Sequence, residues 1–318
     1  MTTKQIYQLA IDLGMKADLR GPAAVKKYLD RAKQKYDKLD AAAKAEFDKD
    51  CLFNPYSDSR ILLDHNKKGI KKIVAGIDIG GAEMLLADKL GGVDLVISHH
   101  PDGPALADLS SVMDLQSHVL ALYGVPINIA ESILRPRISE VSRSTSPANH
   151  ERTTDIARLL KLDYMCTHTV ADNLGARFLF DLVKKNENKL EYVDDLLQLL
   201  KAIPEYGLAA KRKSGPVLFA GSPESHCGKI VVTEFTGGTS GSKDIYEKMS
   251  HYGIGTIIGM HMGEEHRKEA EKYHINVVIA GHMASDSLGM NLLLDELEKK
   301  GLEVITLSGL NRVKRYKK

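Results

Sequence analysis

Short apolar runs rich in β-branched residues recur along the chain from Lys71 onward, and helix-like stretches separate them. Runs of this length between turn residues are typical of buried strands, and their alternation with helical spacing is the pattern of βαβ units. The pattern therefore predicts a mainly parallel sheet flanked by helices. The candidate strands are KKIVAGID, VDLVIS, GKIVVTEF, GIGTIIGM, HINVVIAGH and GLEVITL, and the alternation also runs through HVLALYGVPINIA and TDIARLLKLDYMCTHT.

One helical stretch divides this pattern into two groups of strands, and another precedes it. A polar helical stretch, FLFDLVKKNENKLEYVDDLLQLLKAI, separates the first group of candidate strands from the second. Near the start, strong helix formers follow Pro22, a residue that the first turn of a helix tolerates. We therefore predict a two-lobed α/β fold in which residues 1–65 form a helical N-terminal appendage, residues 66–182 the first lobe and residues 183–318 the second.

Composition narrows the class of protein without naming a ligand. The chain has 318 residues, of which 43% are hydrophobic, so it can bury a full core. Its formal net charge of +2 gives no electrostatic case for nucleic acid as the main ligand, and we expect the basic end NRVKRYKK to be solvated. The sequence contains no long apolar stretch typical of a membrane span or signal peptide, and its three cysteines lack paired spacing. We therefore expect a cytoplasmic protein without disulfides.

The run VDLVIS ends at two adjacent histidines, His99 and His100, which are followed by a proline. Neighbouring side chains inside a strand point to opposite faces, but at the end of a strand the backbone turns and both rings can converge. Adjacent histidines are uncommon without being specific, and a histidine that closes a strand is more often only hydrogen-bonded. We therefore ask which other side chains of the chain could meet the two histidine rings.

Candidate partners occupy equivalent places in other units. An apolar run ends at His168, with Asp172 four residues later, and another ends near His282, with Asp286 four residues later. The carboxyl ends of parallel strands lie along one edge of a sheet, where ligands bind, so these side chains can meet His99 there. The sequence therefore predicts one centre, which we place between the two lobes.

Imidazole nitrogens and carboxylate oxygens without thiolates suit zinc, manganese or iron. Five predicted ligands exceed the needs of one tetrahedral ion, so the sequence predicts two divalent metal ions bridged by a carboxylate. The ligands are His99, His100, Asp172, His282 and Asp286. His168 stays open, because it can be a ligand or can orient Asp172 or Thr169 from outside the ligand set.

The motifs DLVISHHP, HTVADN and AGHMASD together resemble the Nif-three-like family, also known as GTP cyclohydrolase I type 2 homologues. The resemblance covers roughly residues 70–310. It implies a cytoplasmic α/β protein that holds two metal ions through the same histidines and aspartates. It also implies a homo-oligomer, for which a hexameric ring is one candidate form.

Two departures from the family pattern affect the carboxylates. Asp286 stands where the family generally has glutamate, and the segment between Pro101 and Asp172 is longer than usual. That segment contains Glu131, which becomes a rival for the middle carboxylate of the centre. Because Asp172 closes an apolar run together with a histidine and Glu131 does not, we expect Asp172 to be the ligand.

A bridged pair of metal ions is the arrangement of phosphoesterases and amidohydrolases, so hydrolysis is the predicted reaction. We expect a nucleotide-like or otherwise phosphorylated small molecule as the substrate, with Arg135 and Arg143 as the residues that bind it. A solvated segment explains these arginines equally well. The rival class is a metal-binding or interaction protein that is not an enzyme, and turnover would separate the two.

Three further segments carry residues that suit ligand binding or proton transfer. TEFTGGTSGS can cradle a phosphate but lacks the lysine of a P-loop, and GIDIGGAE is not the dinucleotide fingerprint, so both favour tight turns between a strand and a helix. GMHMGEEHRKEA offers His261, Glu264, Glu265 and His266 as proton donors, although the spacing is more typical of a charged helix start. The catalytic acid or base is therefore not assigned.

Overall fold

The structure is a computed structural model, and it describes residues 1–316. Its helices and strands alternate through most of the chain. The strands are β1 (Ser59–Leu63), β2 (Lys72–Gly76), β3 (Leu95–Ser98), β4 (Asp163–Thr167), β5 (Val217–Ala220), β6 (Lys229–Val232), β7 (Ile254–Gly259), β8 (Asn276–Ile279) and β9 (Glu303–Leu307). The helices are α1 (Thr3–Ala17), α2 (Pro22–Asp37), α3 (Ala41–Glu46), α4 (Gly81–Leu90), α5 (Gly103–Ala107), α6 (Asp114–Leu122), α7 (Ile127–Thr145), α8 (Arg152–Leu160), α9 (His168–Asn186), α10 (Val193–Lys201), α11 (Pro204–Lys211), α12 (Tyr246–His251), α13 (Glu264–Lys272) and α14 (His282–Lys299). Short 3-10 helices lie at Lys49–Leu52, Leu109–Val112, Glu187–Lys189 and Lys243–Ile245.

The strands form two sheets that are mainly parallel. The first has the order β1-β4-β3-β2-β9, and the second has the order β5-β8-β7-β6. In each sheet one edge strand, β1 or β5, is antiparallel to its neighbour, and the other pairs are parallel. The predicted α/β fold with mainly parallel sheets flanked by helices is therefore confirmed.

The first sheet takes strands from all three predicted segments. β1 precedes residue 66, β2 to β4 lie within 66–182, and β9 lies near residue 305, where Lys72 of β2 is the partner of Glu303. The chain therefore leaves the first sheet, builds the second and returns. The predicted segment boundaries stay a prediction.

The strands β2, β3, β4, β6, β7, β8 and β9 all fall on predicted apolar runs, and β3 is buried along its whole length. The stretch HVLALYGVPINIA adds no strand, because its two halves lie in α6 and at the start of α7, with Pro126 at the junction. A proline directly before a first turn favours the helix start. β1 and β5 were not predicted.

The N-terminal helices differ in how they pack. α1 buries Ile6, Tyr7 and Ile11 and lies against α9, where a Cβ on Gly14 would approach the backbone of Val170 to 3.1 Å. α2 and α3 are mostly exposed, and Val25 is the only buried residue of the two. Within the predicted appendage, α1 is therefore part of the core.

The basic end of the chain is held by acidic side chains, so the expectation that NRVKRYKK is solvated is wrong for its described part. Arg315 Nη2 lies 2.6 Å from Glu205 Oε2, and Arg312 Nη2 lies 2.5 Å from Asp295 Oδ1. The carboxylates of Glu205 and Asp295 are buried, which makes their pairing to arginine necessary. Lys317 and Lys318 lie outside the described residues. No helix among residues 1–316 is long and apolar enough to cross a membrane.

Candidate metal centre

The ends of three strands bring histidines and aspartates to one place between the two sheets. His99 and His100 follow β3, and His168 and Asp172 lie in the first turns of α9, directly after β4. The first turns of α14, which follows β8, carry His282 and Asp286. β3 and β4 belong to the first sheet and β8 to the second, so the cluster draws on both.

His99 lies at the middle of the cluster and is fully buried. Its Nε2 is 3.4 Å from Oδ1 of Asp172 and 3.5 Å from Oδ1 of Asp286. Within the described chain, neither ring nitrogen of His99 has a hydrogen-bond partner, and neither do these two carboxylate oxygens. Buried polar atoms without partners carry a desolvation penalty, so their convergence indicates a group that binds between them.

Asp286 divides its two oxygens between different neighbours. Oδ1 faces His99, whereas Oδ2 lies 3.6 Å from Nε2 of His100 and 3.6 Å from Nε2 of His282. Three overlapping triads of potential ligand atoms result, each with its atoms within 4.8 Å of one another. The triads are His99, His100 and His168; His100, His282 and Asp286; and His99, Asp172 and Asp286. These nitrogen and oxygen donors fit a divalent cation and could hold one.

Two of the histidines are oriented by carboxylates that the sequence reasoning missed. Asp58 Oδ2 lies 2.8 Å from Nδ1 of His168, and Asp78 Oδ1 lies 2.6 Å from Nδ1 of His100. Each leaves the Nε2 of its histidine directed toward the cluster, which is the arrangement of a carboxylate behind a metal-binding imidazole. Asp58 also accepts a hydrogen bond from the hydroxyl of Thr169.

The topology explains how Asp58 reaches the centre. β1 runs antiparallel to β4 and Ser59 is paired with Thr167, so the start of β1 lies where β4 ends. Asp78 follows β2 at the same edge of the sheet. Asp78 ends the predicted run KKIVAGID, so a carboxylate at the end of a strand was a usable signal for it, whereas only the pairing of β1 with β4 identifies Asp58.

Burial and charge set the protonation of the cluster. Burial lowers the pKa of His99 to about 4, so its imidazole is neutral near pH 7. Burial also disfavours the imidazolium of His168, but attraction to Asp172 and the hydrogen bond to Asp58 outweigh it and raise the pKa of His168 to about 9. Burial raises the pKa of Asp172 well above its ordinary value. Burial also acts to raise the pKa of Asp286, but its interactions with His99, His282 and His100 together outweigh burial and lower it. The cluster thus holds protons where a bound cation would supply positive charge.

Close packing of α9 against α14 fixes the two aspartates relative to each other. A Cβ on Gly289 would lie 2.2 Å from the carbonyl oxygen of Ala171, so only glycine allows this approach. Ala171 precedes Asp172 directly, and Gly289 lies one turn after Asp286. The contact between the helices therefore sets the separation of the two carboxylates.

His261, one of the four proton donors offered by the sequence, lies beside the cluster. It follows β7, its ring centroid is 4.7 Å from that of His282, and its Nδ1 is 3.4 Å from Oγ of Ser240. Burial lowers the pKa of His261, so the neutral ring is favoured. Glu264 and Glu265 instead begin the exposed, charged helix α13.

The structure does not bring the remaining predicted residues to the cluster. Glu131, Arg135 and Arg143 are exposed on α7, and Arg143 bonds within that helix to Ser139. Glu131 and Arg135 line a groove between α7 and the N-terminal helices, together with Arg20 and Tyr28. The predicted substrate-binding role of the two arginines therefore gains no support from their position.

The fold and the cluster define a class of protein: an α/β chain with two mainly parallel sheets and a buried histidine and aspartate centre between them. The chain is similar to a NIF3 superfamily protein from Sphaerobacter thermophilus, with 29% sequence identity and a TM-score of 0.74. The alignment covers 80% of this chain and 92% of that chain. The likeness in sequence and fold confirms the predicted resemblance to the Nif-three-like (NIF3) family.

Two further solved structures align with the chain at lower similarity. Reduced HcgD from Methanocaldococcus jannaschii is 16% identical with a TM-score of 0.48, and the alignment covers 78% of this chain and 87% of that chain. Protein ybgI, described as of unknown function, is 15% identical with a TM-score of 0.45 and the same coverage of both chains. No protein-family model and no curated protein matches the sequence.

Proposed function

We propose that the protein is a hydrolase that depends on two divalent metal ions and acts on a phosphorylated or nucleotide-like small molecule. One observation carries this proposal: the two oxygens of Asp286 face separate sets of imidazole nitrogens, His99 on one side and His100 with His282 on the other. A carboxylate with this division of neighbours suits a bridge between two cations. Zinc, iron and manganese all accept such ligands.

In this proposal two sets of side chains would each hold one metal ion, and Asp286 would belong to both sets. His99 and Asp172 complete one set, because Asp172 Oδ1 and Asp286 Oδ1 both face Nε2 of His99. His100 and His282 complete the other. His168 joins the first set through Nε2, which lies 3.7 Å from Asp172 Oδ2, and Asp58 holds its ring in that direction. Asp286 is shorter than the glutamate usual in the family, and the division of its oxygens supports a bridging role nonetheless.

The chemistry of hydrolysis needs an activated water and a proton carrier. Divalent ions held by these residues would supply a water molecule of lowered pKa and positive charge to stabilise the substrate. His261 is the candidate proton carrier, because it lies beside His282 in a cavity that also reaches His168 and Asp172. Its lowered pKa leaves the ring neutral near pH 7, so it can accept a proton.

The location and assembly of the protein belong to the same proposal. We infer a cytoplasmic homo-oligomer, up to a hexamer, whose partner is a small-molecule substrate. Free thiols at Cys51, Cys166 and Cys227 support a reducing compartment. Exposed Leu85 on α4 and Leu159 on α8, two helices that pack together, support a contact between subunits.

The test is turnover by the purified protein after loading with manganese, zinc or iron. A panel of phosphomonoesters, phosphodiesters and cyclic nucleotides should include a substrate whose hydrolysis requires metal, and His99→Ala should abolish that hydrolysis. His226→Ala is the matched control, because the His226 side chain is 71% exposed and pairs with Glu191 away from the cluster. Metal binding without turnover on any phosphoester would instead support the metal-binding protein that is not an enzyme.

A further inference from the structure

The segment 233–242, which follows β6, borders the candidate metal centre. Its residues Gly238 and Thr239 line the same cavity as His168, His261 and His282. A molecule bound at the cluster would therefore meet this loop as its nearest neighbour on one side.

Two side chains that do not line this cavity hold carbonyl groups of the loop. Gln116 of α6 donates from Nε2 to the carbonyl oxygens of Gly237 and Thr239, at 2.8 Å and 2.6 Å. The arginine Arg137 of α7 donates from Nε to the carbonyl oxygen of Ser240 at 3.2 Å. These donors fix the orientation of three carbonyl groups of the loop, those of Gly237, Thr239 and Ser240.

The direction of a carbonyl fixes the direction of the next N–H. In a trans peptide the C=O of one residue and the N–H of the following residue point in opposite directions. The N–H groups of Gly238, Ser240 and Gly241 consequently point away from Gln116 and Arg137. Among residues 1–316 the N–H groups of Gly238 and Ser240 donate to no other protein group. Gly237 and Gly238, with φ of 89° and 85°, supply the left-handed turn that lets neighbouring N–H groups converge.

Of these three N–H groups, Glu234, the acidic residue of the loop, interacts only with that of Gly241. Burial raises the pKa of Glu234, while attraction to His266, the hydrogen bond from the N–H of Gly241 and attraction to Arg137 act in the opposite direction. His266 also binds the carbonyl oxygen of Gly241 at 3.1 Å. Glu234 therefore ties the end of the loop to its start.

We propose that residues 236–241 form a cradle for a tetrahedral oxyanion, the phosphoryl group of a substrate held at the metal centre. This inference rests on the proposed function and names the group that the loop recognises. Peptide N–H donors bind phosphate oxygens without a cationic side chain, and preorganised donors lose little entropy on binding. The loop thus adds recognition that the histidines and aspartates of the cluster do not supply.

The probe is inorganic phosphate, and its Kd is measured by calorimetry on the metal-loaded protein. Gln116→Leu keeps a similar shape but removes both donors that hold the carbonyl groups, and its control is Gln198→Leu on the exposed face of α10. Gly238→Ala shifts the loop directly, because its Cβ would lie 3.1 Å from Val112 Cγ1. Gly253→Ala is its control, since φ at Gly253 is also positive, at 78°, but no atom lies within 4 Å of the added Cβ.

We expect the Kd for phosphate to rise about tenfold or more in both loop variants, with metal content unchanged and both controls like the wild type. Wild-type affinity in both loop variants, or no saturable phosphate binding by the wild type, overturns the cradle. Metal content is measured separately on each sample. If the wild-type protein binds no metal, the proposed function is wrong. The Kd for phosphate of the same four variants, measured without metal, would still show whether the loop binds phosphate.

Discussion

Asp172 and Asp286 direct one carboxylate oxygen each at the same atom, Nε2 of His99, from 3.4 Å and 3.5 Å. They reach it from two helices, α9 and α14, that follow strands of different sheets. Two buried carboxylates this close repel each other unless a proton or a cation lies between them. Their relationship is therefore the feature on which metal content should depend most.

The first prediction concerns the shared carboxylate. Asp286→Asn keeps the size of the side chain but removes the charge that faces both ligand sets, so both metal ions should be lost together. Elemental analysis of protein grown with excess metal should give close to two ions per chain for the wild type and far less than one for the variant. A variant that keeps one ion would show that Asp286 serves a single site. Asp78→Asn, which changes only the carboxylate behind His100, should keep both ions and lose about 10–100-fold in affinity.

The second prediction decides between the two rival carboxylates. Asp172→Ala should empty most of the site, because this carboxylate faces both His99 and His168. Glu131→Ala should leave the metal content like that of the wild type, because Glu131 is exposed on α7 in a separate groove. Metal content that followed Glu131 instead would show that the assignment of Asp172 is wrong.

The third prediction tests the carboxylate behind His168. Asp58→Asn still fills the space between His168 and Thr169 but no longer favours the ring orientation that the carboxylate sets. We expect metal affinity to fall about 10–100-fold. Competition with a chelator of known affinity measures the change, and Thr169→Val is the control, because it removes a different hydrogen bond to Asp58, the one from the Thr169 hydroxyl. An equal loss in both variants would point to general disruption of the buried contact rather than to orientation of His168.

The fourth prediction concerns pH. Without metal the pKa of His168 is raised to about 9, so the ring carries a proton at pH 7, and a metal ion bound at Nε2 must displace it. Affinity should consequently increase with pH up to about 9, by about tenfold per pH unit for this proton. Calorimetry in two buffers with different ionisation enthalpies counts the protons released. His168→Gln should release one proton fewer than the wild type, and an unchanged count would exclude His168 as a ligand.

The fifth prediction tests the spacing of the two helices. Gly289→Ala forces α14 away from the carbonyl oxygen of Ala171. Overpacking of this kind should lower the free energy of unfolding by about 1–3 kcal/mol. Because the same movement separates Asp172 from Asp286, metal affinity should fall as well. Gly175→Ala is the control in the same interface, since its Cβ would make only ordinary contact at 3.6 Å. Denaturant unfolding and metal titration of both variants provide the measurements, and equal effects in the two would contradict the role of Gly289.

The strand ends of the centre could be predicted from the sequence, because a parallel sheet delivers the carboxyl ends of its strands to one edge. His99 directly follows an apolar run, and Asp172 and Asp286 each lie four residues after a histidine near the end of one, so the local pattern was sufficient to bring them together. The predicted mainly parallel sheets followed from the same runs. The carboxylate that would bridge two ions in our proposal could not be chosen in this way, because that choice depends on which oxygen faces which ring.

The features that were missed depend on contacts between distant parts of the chain. Asp58 reaches His168 only because β1 pairs antiparallel with β4. The apolar run in β1, SRILL, is too short for the sequence to predict that pairing. The burial of α1 against α9 and the ion pairs of Arg315 with Glu205 are likewise set by tertiary packing. No proposed ligand lies in residues 1–50, yet the packing of α1 on α9 makes removal of this segment a threat to the helix that carries Asp172.

The return of the chain to the first sheet also has a kinetic consequence. β2 cannot gain its outer neighbour until the whole second sheet has been traversed, because Lys72 pairs with Glu303. Bringing two such distant segments together is slow, because the chain loses conformational entropy before the contacts between β2 and β9 form. α14, which carries His282 and Asp286, lies between β8 and β9 in the sequence, so the histidine and aspartate cluster should be complete only late in folding. Free metal ions would then meet an already ordered cluster rather than a partly folded chain.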